Sequence, residues 1–442
     1  MELGPALLAV GKGEWPDHFE QFAAALDPVW IQQALNATGK ATVRRRKLPA
    51  EQAIWLVIGM GLFRNRSIQD VARHLRLVLP GPMAKSPAGS LTSSAVVQAR
   101  QRLGCEPLAE LFSRTAEHWA VSAADAQRWR GLAVYGVDGS TLRIADTPEN
   151  ESVFGRPGSS RGDAAYPQLR LVTLMALRAH LLAGLALGPY TTGEVTLAET
   201  LWDRIPDDSL TILDRGFLSY GLFHRLQCHG SSRHWLIRAK NKSKWNVIRR
   251  LGANDHLVEL SLPKSARRAH PELPETLQVR AVRYQRRGFR AQTLLTSLTD
   301  SEHYPASEIA ALYHERWELE LAFDELKTHT LEREETLRSR TPARVYQEVW
   351  GLAIGYNLVR LAMARAAQVA GLPPIRLSYR HALMLVREFW RLAAITTGPG
   401  LLPRRIIELH HDLALLVLPP RRSRRSYPRA VKIKMSNYPR KR

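Results

Sequence analysis

A chain of 442 residues, 45% hydrophobic and 24% charged, is long enough for two or three cores and too apolar for a disordered chain. A formal net charge of +22 predicts a polyanionic partner, nucleic acid ahead of an acidic membrane surface. No apolar run nears the ~18 residues that span a bilayer, the N-terminus lacks the pattern of a signal peptide, and Cys105 and Cys228 form neither a CxxC nor a dense framework, so a soluble intracellular protein with no disulfide or zinc site is expected.

Residues 1 to about 125 read as helical, with segments near 16 to 36, 50 to 63, 67 to 77, 93 to 103 and 106 to 122. Ser67 and Ser93 precede apolar residues at helical spacing and are expected N-caps. The connection LPGPMAKSPAG is long for the turn of a compact helix-turn-helix. Ser94, Gln98, Arg100, Gln101 and Arg102, with Arg44, Arg45, Arg46 and Lys47, are placed to meet DNA; a helical bundle with solvated cations accounts for them equally well.

From about 130 the period changes. LAVYGVDG is a short run of β-formers that ends in Asp138 and Gly139, the pattern of a buried strand delivering an acid. After a Gly-, Pro- and charge-rich loop, LRLVTLMAL and LLAGLALGPY read as a strand hairpin, with a helix as the alternative that Ala and Leu allow. Gly193 and Glu194 open a helix to Arg204, and SLTILDRGFLSY is a second buried strand, ending in Asp214 before Arg215 and Gly216. A strand-end Asp is ordinarily a turn or cap residue, so neither acid is diagnostic alone.

Residues from about 234 to 300 read as mostly β, with cations among Trp235, Trp245, Tyr284 and Phe289. An aromatic here can stack on an unpaired or flipped base, worth ~1 to 3 kcal/mol, although most belong to a core.

The stretch YHERWELELAFDELK follows, from Tyr313 to Lys327. At ~100° per residue, Tyr313, Arg316, Glu320 and Lys327 share one arc of a continuous helix. Leu312, Leu319, Phe323 and Leu326 form an apolar stripe beside them. Glu320 can hold a hard divalent cation while Arg316, Lys327 and Tyr313 grip phosphate oxygens. Arg316 and Glu320 equally read as a solvated i, i+4 salt bridge worth ~0.2 to 0.5 kcal/mol. Asp324, one turn later, can also reach a metal. Helices follow at 343 to 370, 376 to 396 and 404 to 418, and a tail from Pro419 carries Lys and Arg with no acid, a nonspecific phosphate binder.

The spacing Y-x2-R-x3-E-x6-K resembles the YREK signature of bacterial DDE transposases of the insertion sequence four type, with the surrounding RWxIExxFxxLK pattern nearly intact. VDGS and LDRGF resemble that family's first two acidic motifs, in the order Asp138, Asp214, Glu320. The resemblance covers about residues 15 to 370. It implies an α/β ribonuclease H-like catalytic core at 126 to 342 with a mostly β insertion at about 230 to 303. That core would follow an all-helical N-terminal DNA-binding domain at 1 to 125 and precede C-terminal helices at 343 to 418 and the basic tail at 419 to 442.

It further implies cut-and-paste transposition: cleavage at the transposon ends and strand transfer into target DNA, using two Mg2+ ions, or Mn2+ in their place, on Asp138, Asp214 and Glu320. Tyr313, Arg316, Lys327 and Arg215 would contact double-stranded DNA, in a synaptic homodimer with a hairpinned end. The protein would be cytoplasmic and nucleoid-associated in a bacterium, with no membrane partner. Two further readings remain open: a transposase-derived DNA-binding protein without catalysis, and a ribonuclease H-like nuclease without strand transfer.

Overall fold

The computed structural model describes residues 26–420 apart from 42–47, 76–91, 159–162, 241–242, 287–288, 333–335 and 396–400. The run from Arg44 to Lys47, the long Pro- and Gly-rich connection, the start of the first expected helix and the tail beyond 420 lie outside the described residues.

Five helices open the described chain: α1 (Pro28–Ala37), α2 (Ala50–Leu62), α3 (Ile68–His74), α4 (Ser93–Leu103) and α5 (Glu106–Asp125). The starts of α1, α3 and α4 are set by side chains that take up otherwise unpaired N–H groups, each worth ~1 kcal/mol. Asp27 accepts from Val29 at 2.8 Å and Ser67 from Asp70 at 3.1 Å. Thr92, not the expected Ser93, caps α4 by accepting from Ala95 at 3.2 Å; Ser93 instead accepts from Gln69 of α3 at 2.7 Å.

The sheet strands are β1 (Ala133–Arg143), β2 (Gln168–Ala176), β3 (Leu181–Pro189), β4 (Ser209–Leu213), β5 (Arg233–Arg238), β6 (Asn246–Gly252), β7 (Asp255–Ser261), β8 (Thr276–Tyr284) and β9 (Gln292–Thr296). Short helices α6 (Pro148–Phe154), α7 (Glu194–Glu199), α8 (Tyr220–Cys228) and α9 (Lys264–Ala269) connect them. Among the described residues these nine strands form one sheet in the order β3-β2-β1-β4-β5-β9-β8-β7-β6. Strands β1, β4 and β5 run parallel, and β2 and β3 are the expected hairpin. The first half of β1 and all of β4 are buried, which is why they read as apolar runs. Strands β6 to β9 continue this sheet through the β5–β9 pairing.

The chain then enters α10 (Ala306–Tyr313), a 3₁₀ turn (His314–Arg316), α11 (Trp317–Asp324) and a π turn (Glu325–Thr330). The expected single helix is thus a broken one, and a uniform 100° wheel does not describe it. Helices α12 (Pro342–Val369), α13 (Tyr379–Ile395) and α14 (Leu401–Ala414) finish the described chain.

Helix α12 crosses α2 nearly backbone to backbone: a Cβ on Gly351 would lie 2.6 Å from Val57 Cγ1, and one on Gly61 2.9 Å from Leu352 Cα. Beside this crossing Arg64 pairs with Glu348 at 2.6 Å, with both side chains buried. Arg100, placed by sequence among the DNA-facing residues of α4, is 4% exposed and faces the same crossing. Its Nε donates to Gln347 at 2.8 Å and its Nη2 to Ser339 at 3.0 Å. That reading of Arg100 is corrected: it is a buried tie to α12. Its neighbours Ser94, Gln98, Gln101 and Arg102 are exposed. Both cysteines are free, Cys105 half-buried and Cys228 exposed. Among the described residues no helix is long and apolar enough to cross a membrane.

Candidate active site

Val137 of β1 lies in register with Leu213 of β4, so the next residue of each parallel strand, Asp138 and Asp214, stand side by side at the same sheet end. Asp138 accepts from the Gly139 N–H at 2.8 Å, and Asp214 caps a short 3₁₀ turn by accepting from Gly216 at 3.5 Å. The third acid arrives from α11. Gly136 makes room for this helix, since a Cβ there would sit 2.9 Å from Leu319 Cδ1. Leu319 is fully buried with Leu312, Phe323 and Leu326 nearby, as the apolar stripe predicts, and Glu320 beside it is left half-exposed toward the strand ends.

Arg316 joins these elements. Its Nη2 donates to Glu320 Oε1 at 2.8 Å, its Nη1 lies 3.9 Å from Asp138 Oδ2, and it lines a cleft together with Asp214. The three acids are therefore arranged around a guanidinium. Among the described residues no three His, Cys, Asp or Glu side chains are gathered closely enough to cage a metal ion. The donor set nevertheless suits a hard divalent cation, being all carboxylate oxygen. Burial pushes the Asp138 carboxyl up to about 6; the Gly139 N–H and Arg316 oppose this, while Asp214 and Glu194 add to it. Such a carboxyl gains from any nearby positive charge, and Arg316 now supplies it.

Glu194, at the start of α7, was legible only as a helix opener. It packs so closely on the strand of Asp138 that a Cβ on Gly139 would lie 2.6 Å from its Cδ, and it pairs with Arg170 at 3.4 Å. Ser140 also lacked a role in the sequence reading. It accepts a hydrogen bond from Lys327 Nζ at 3.0 Å, two residues beyond Asp138 on the same strand. Asp324 bonds locally instead: its carboxylate accepts from Thr328 of the following π turn at 2.6 Å.

Tyr313 is buried at the cleft wall, and burial pushes its phenol up to about 12. The cleft, of about 550 Å³, is further lined by Arg238, Arg286, Arg290, Tyr284, Phe289 and Trp317. Phe289 and Trp317 are 42% and 41% exposed, so flat apolar faces lie among the cations. Trp235 is excluded from stacking on a ligand because it is fully buried against Phe223, ring centroids 3.9 Å apart. Trp245 is half-buried outside this cleft. Arg215 is exposed in the 3₁₀ turn after Asp214.

Residues 16–113 match the family model of the insertion element 4 transposase N-terminal region, and residues 129–358 match the transposase DDE domain. The chain is 38% identical over 420 residues to the transposase InsG for insertion sequence element IS4 of Escherichia coli (strain K12), spanning 94% of this chain and 92% of that protein. It is 35% identical over 283 residues to the putative transposase InsZ of the same strain, spanning 61% of this chain and 91% of that one. A piggyBac transposase synaptic complex with hairpin DNA aligns over 89% of this chain and 82% of its own, with a TM-score of 0.43 and 10% identity, too slight a likeness to bear on the assignment. On the family matches and the near full-length identity to InsG, the chain belongs to the DDE transposases of the insertion element 4 family.

Proposed function

We propose that this DNA transposase cuts at the ends of its element and joins them to a target with Asp138, Asp214 and Glu320 as its catalytic acids. The observation that carries the reading is the parallel β1–β4 register, which sets two acids side by side, with the third turned toward them on α11 and tied to Asp138 through Arg316. The strand order β3-β2-β1-β4-β5, with β2 antiparallel to β1 and β4 and β5 parallel to it, supports a ribonuclease H-like core at 126 to 342; because β5 pairs in parallel with β4, the mostly β insertion expected from about 230 to 303 starts after β5 in this reading. The helices before it would form the N-terminal DNA-binding domain and those after it a C-terminal region.

The three carboxylates would hold two divalent ions, Mg2+ with Mn2+ as substitute, which when bound supply charge for an attacking and a leaving oxygen. The chain's own residues bind and orient the DNA. Arg316 releases Glu320 and turns to a phosphate, a bidentate contact its fork suits. Lys327, held beside the Asp138 strand, takes a second phosphate, while Tyr313 and Arg215 border the same end. Tyr284, Phe289 and Trp317 offer faces for an unpaired base, and Arg238, Arg286 and Arg290 neutralise its backbone. A synaptic homodimer, a hairpinned end and a cytoplasmic, nucleoid-associated location belong to the same reading.

The test uses full-length protein, Mg2+ and a DNA carrying the element's end. Asp138→Asn, Asp214→Asn and Glu320→Gln should each cut cleavage at least about a hundredfold with binding retained. Binding without cleavage by the unaltered protein would overturn the enzyme in favour of a DNA-binding module. Cleavage without capture of the cut end by a target plasmid would make it a nuclease.

A further inference from the structure

Behind Glu320 of α11 and Lys327 of the π turn lies a buried set of charges, none of which lines the cleft. Glu325, the first residue of the π turn, faces inward and accepts from Arg360 Nε at 3.0 Å, from Arg360 Nη2, and from the Tyr356 hydroxyl at 2.9 Å. Arg360 Nη2 also lies 2.6 Å from His180 Nδ1, and His180 Nε2 lies 3.0 Å from Glu318 Oε2. His180 Nδ1 also lies 3.3 Å from Glu325 Oε2, so the ring is set between the guanidinium and both carboxylates. Arg360 and His180 are each 1% exposed.

The far end of the π turn is tied as well. The Thr330 hydroxyl donates to the Glu325 carbonyl at 3.0 Å and meets the Tyr379 hydroxyl at 2.7 Å, while Leu331 N–H reaches the Leu326 carbonyl at 3.2 Å.

Packing alone does not call for these groups. Apolar residues of similar volume hold helices together at least as well as buried ion pairs do. The polar cluster does one thing an apolar core does not: it grips both ends of an irregular turn by directional bonds, and such π turns recur at functional sites. Within that turn, on its outer side, Lys327 reaches Ser140 beside Asp138.

We infer that Glu325, Arg360 and His180, with the Thr330–Tyr379 pair, are positioning residues that hold Lys327 over the strand of Asp138 and so set where a DNA end lies against the acids. This rests on the proposed reading of Lys327 as a phosphate contact.

Tyr379→Phe removes one hydroxyl and keeps the ring beside Arg360, so it spares the fold; Thr330→Val is the matching change on the partner. Single-turnover cleavage of pre-bound end DNA is measured for each, alone and combined with Lys327→Ala, with thermal melting alongside. Tyr379→Phe should slow cleavage about tenfold with end affinity and melting unchanged, and should add nothing once Lys327 is Ala. Equal slowing in both backgrounds, or no slowing in the first, overturns the inference while leaving Lys327 as a phosphate contact. Wild-type cleavage by Lys327→Ala itself overturns the reading of Lys327, and the inference with it.

Discussion

Arg316 hydrogen-bonds Glu320 one helical turn away at 2.8 Å and holds its other terminal nitrogen 3.9 Å from Asp138, so a single guanidinium neutralises two acids from different elements. It thereby competes with any cation those acids bind. Arg316→Met should bind Mn2+ more tightly in the absence of DNA. A unit charge and a divalent ion ~6 Å apart in high dielectric repel by about 1.4 kcal/mol, or tenfold in affinity. The same variant should cleave poorly. Calorimetric Mn2+ titration of the variant and the unaltered protein checks the sign, and equal or weaker binding contradicts it.

Gly136 is the point at which α11 rests on β1. Gly136→Ala puts a methyl 2.8 Å from Leu177 Cδ2 and 2.9 Å from Leu319 Cδ1, both in the core. Overpacking of this kind costs about 1 to 3 kcal/mol. The helix must move to relieve it, carrying Glu320 away from Asp138. Cleavage should therefore fall by more than the lost stability explains, measured below the melting transition where the variant is fully folded.

Arg100 and Arg102, two residues apart on α4, should behave oppositely. Arg100→Met strips hydrogen bonds from Gln347 and Ser339 and should destabilise by about 1 to 3 kcal/mol. It should leave the salt dependence of DNA binding unchanged. Arg102→Ala, on the exposed side, should barely change stability; if α4 meets DNA it should also flatten the salt dependence by about one contact. Urea melts and binding isotherms at several salt concentrations separate the two.

Acid should unfold the chain partly through Glu325. Burial alone would push its carboxyl up, but Arg360 and His180 hold it down at about 2, below the ordinary carboxyl value. A group depressed in the folded state contributes stability that is complete above its unfolded pKa of ~4.3 and is lost as pH falls toward the folded value. Between pH 5 and 2 the unaltered protein should lose urea resistance more steeply than Glu325→Gln. Parallel slopes would mean Glu325 carries no such linkage.

Asp138 and Asp214 were legible because a buried parallel strand writes itself as an apolar run, and an acid ending such a run is conspicuous. The placement of Glu320 beside a packing stripe was legible for a similar reason, although the wheel that suggested it assumed a regular helix. The π turn escaped because residues that bond it, Arg360 and Tyr379, lie on later helices. Arg100 misled for the same reason: its partner Gln347 is 247 residues away, and a cation that meets a distant amide looks in sequence like one that meets solvent. Glu194 is visible only once Gly139 is seen to yield it space. That β6 to β9 extend the existing sheet depends on the β5–β9 pairing, a register no local pattern announces.

That pairing also ties together one side of the cleft. Asp214, Arg238, Gln292 and Tyr284 sit at or just beyond the ends of β4, β5, β9 and β8, neighbours in one uninterrupted ladder. That side of the gap is therefore held by register: slipping β9 along β5 while keeping side chains on their own faces would take two residues, about 7 Å. The opposite side, from Tyr313 to Trp317, hangs on no strand and is free of that constraint.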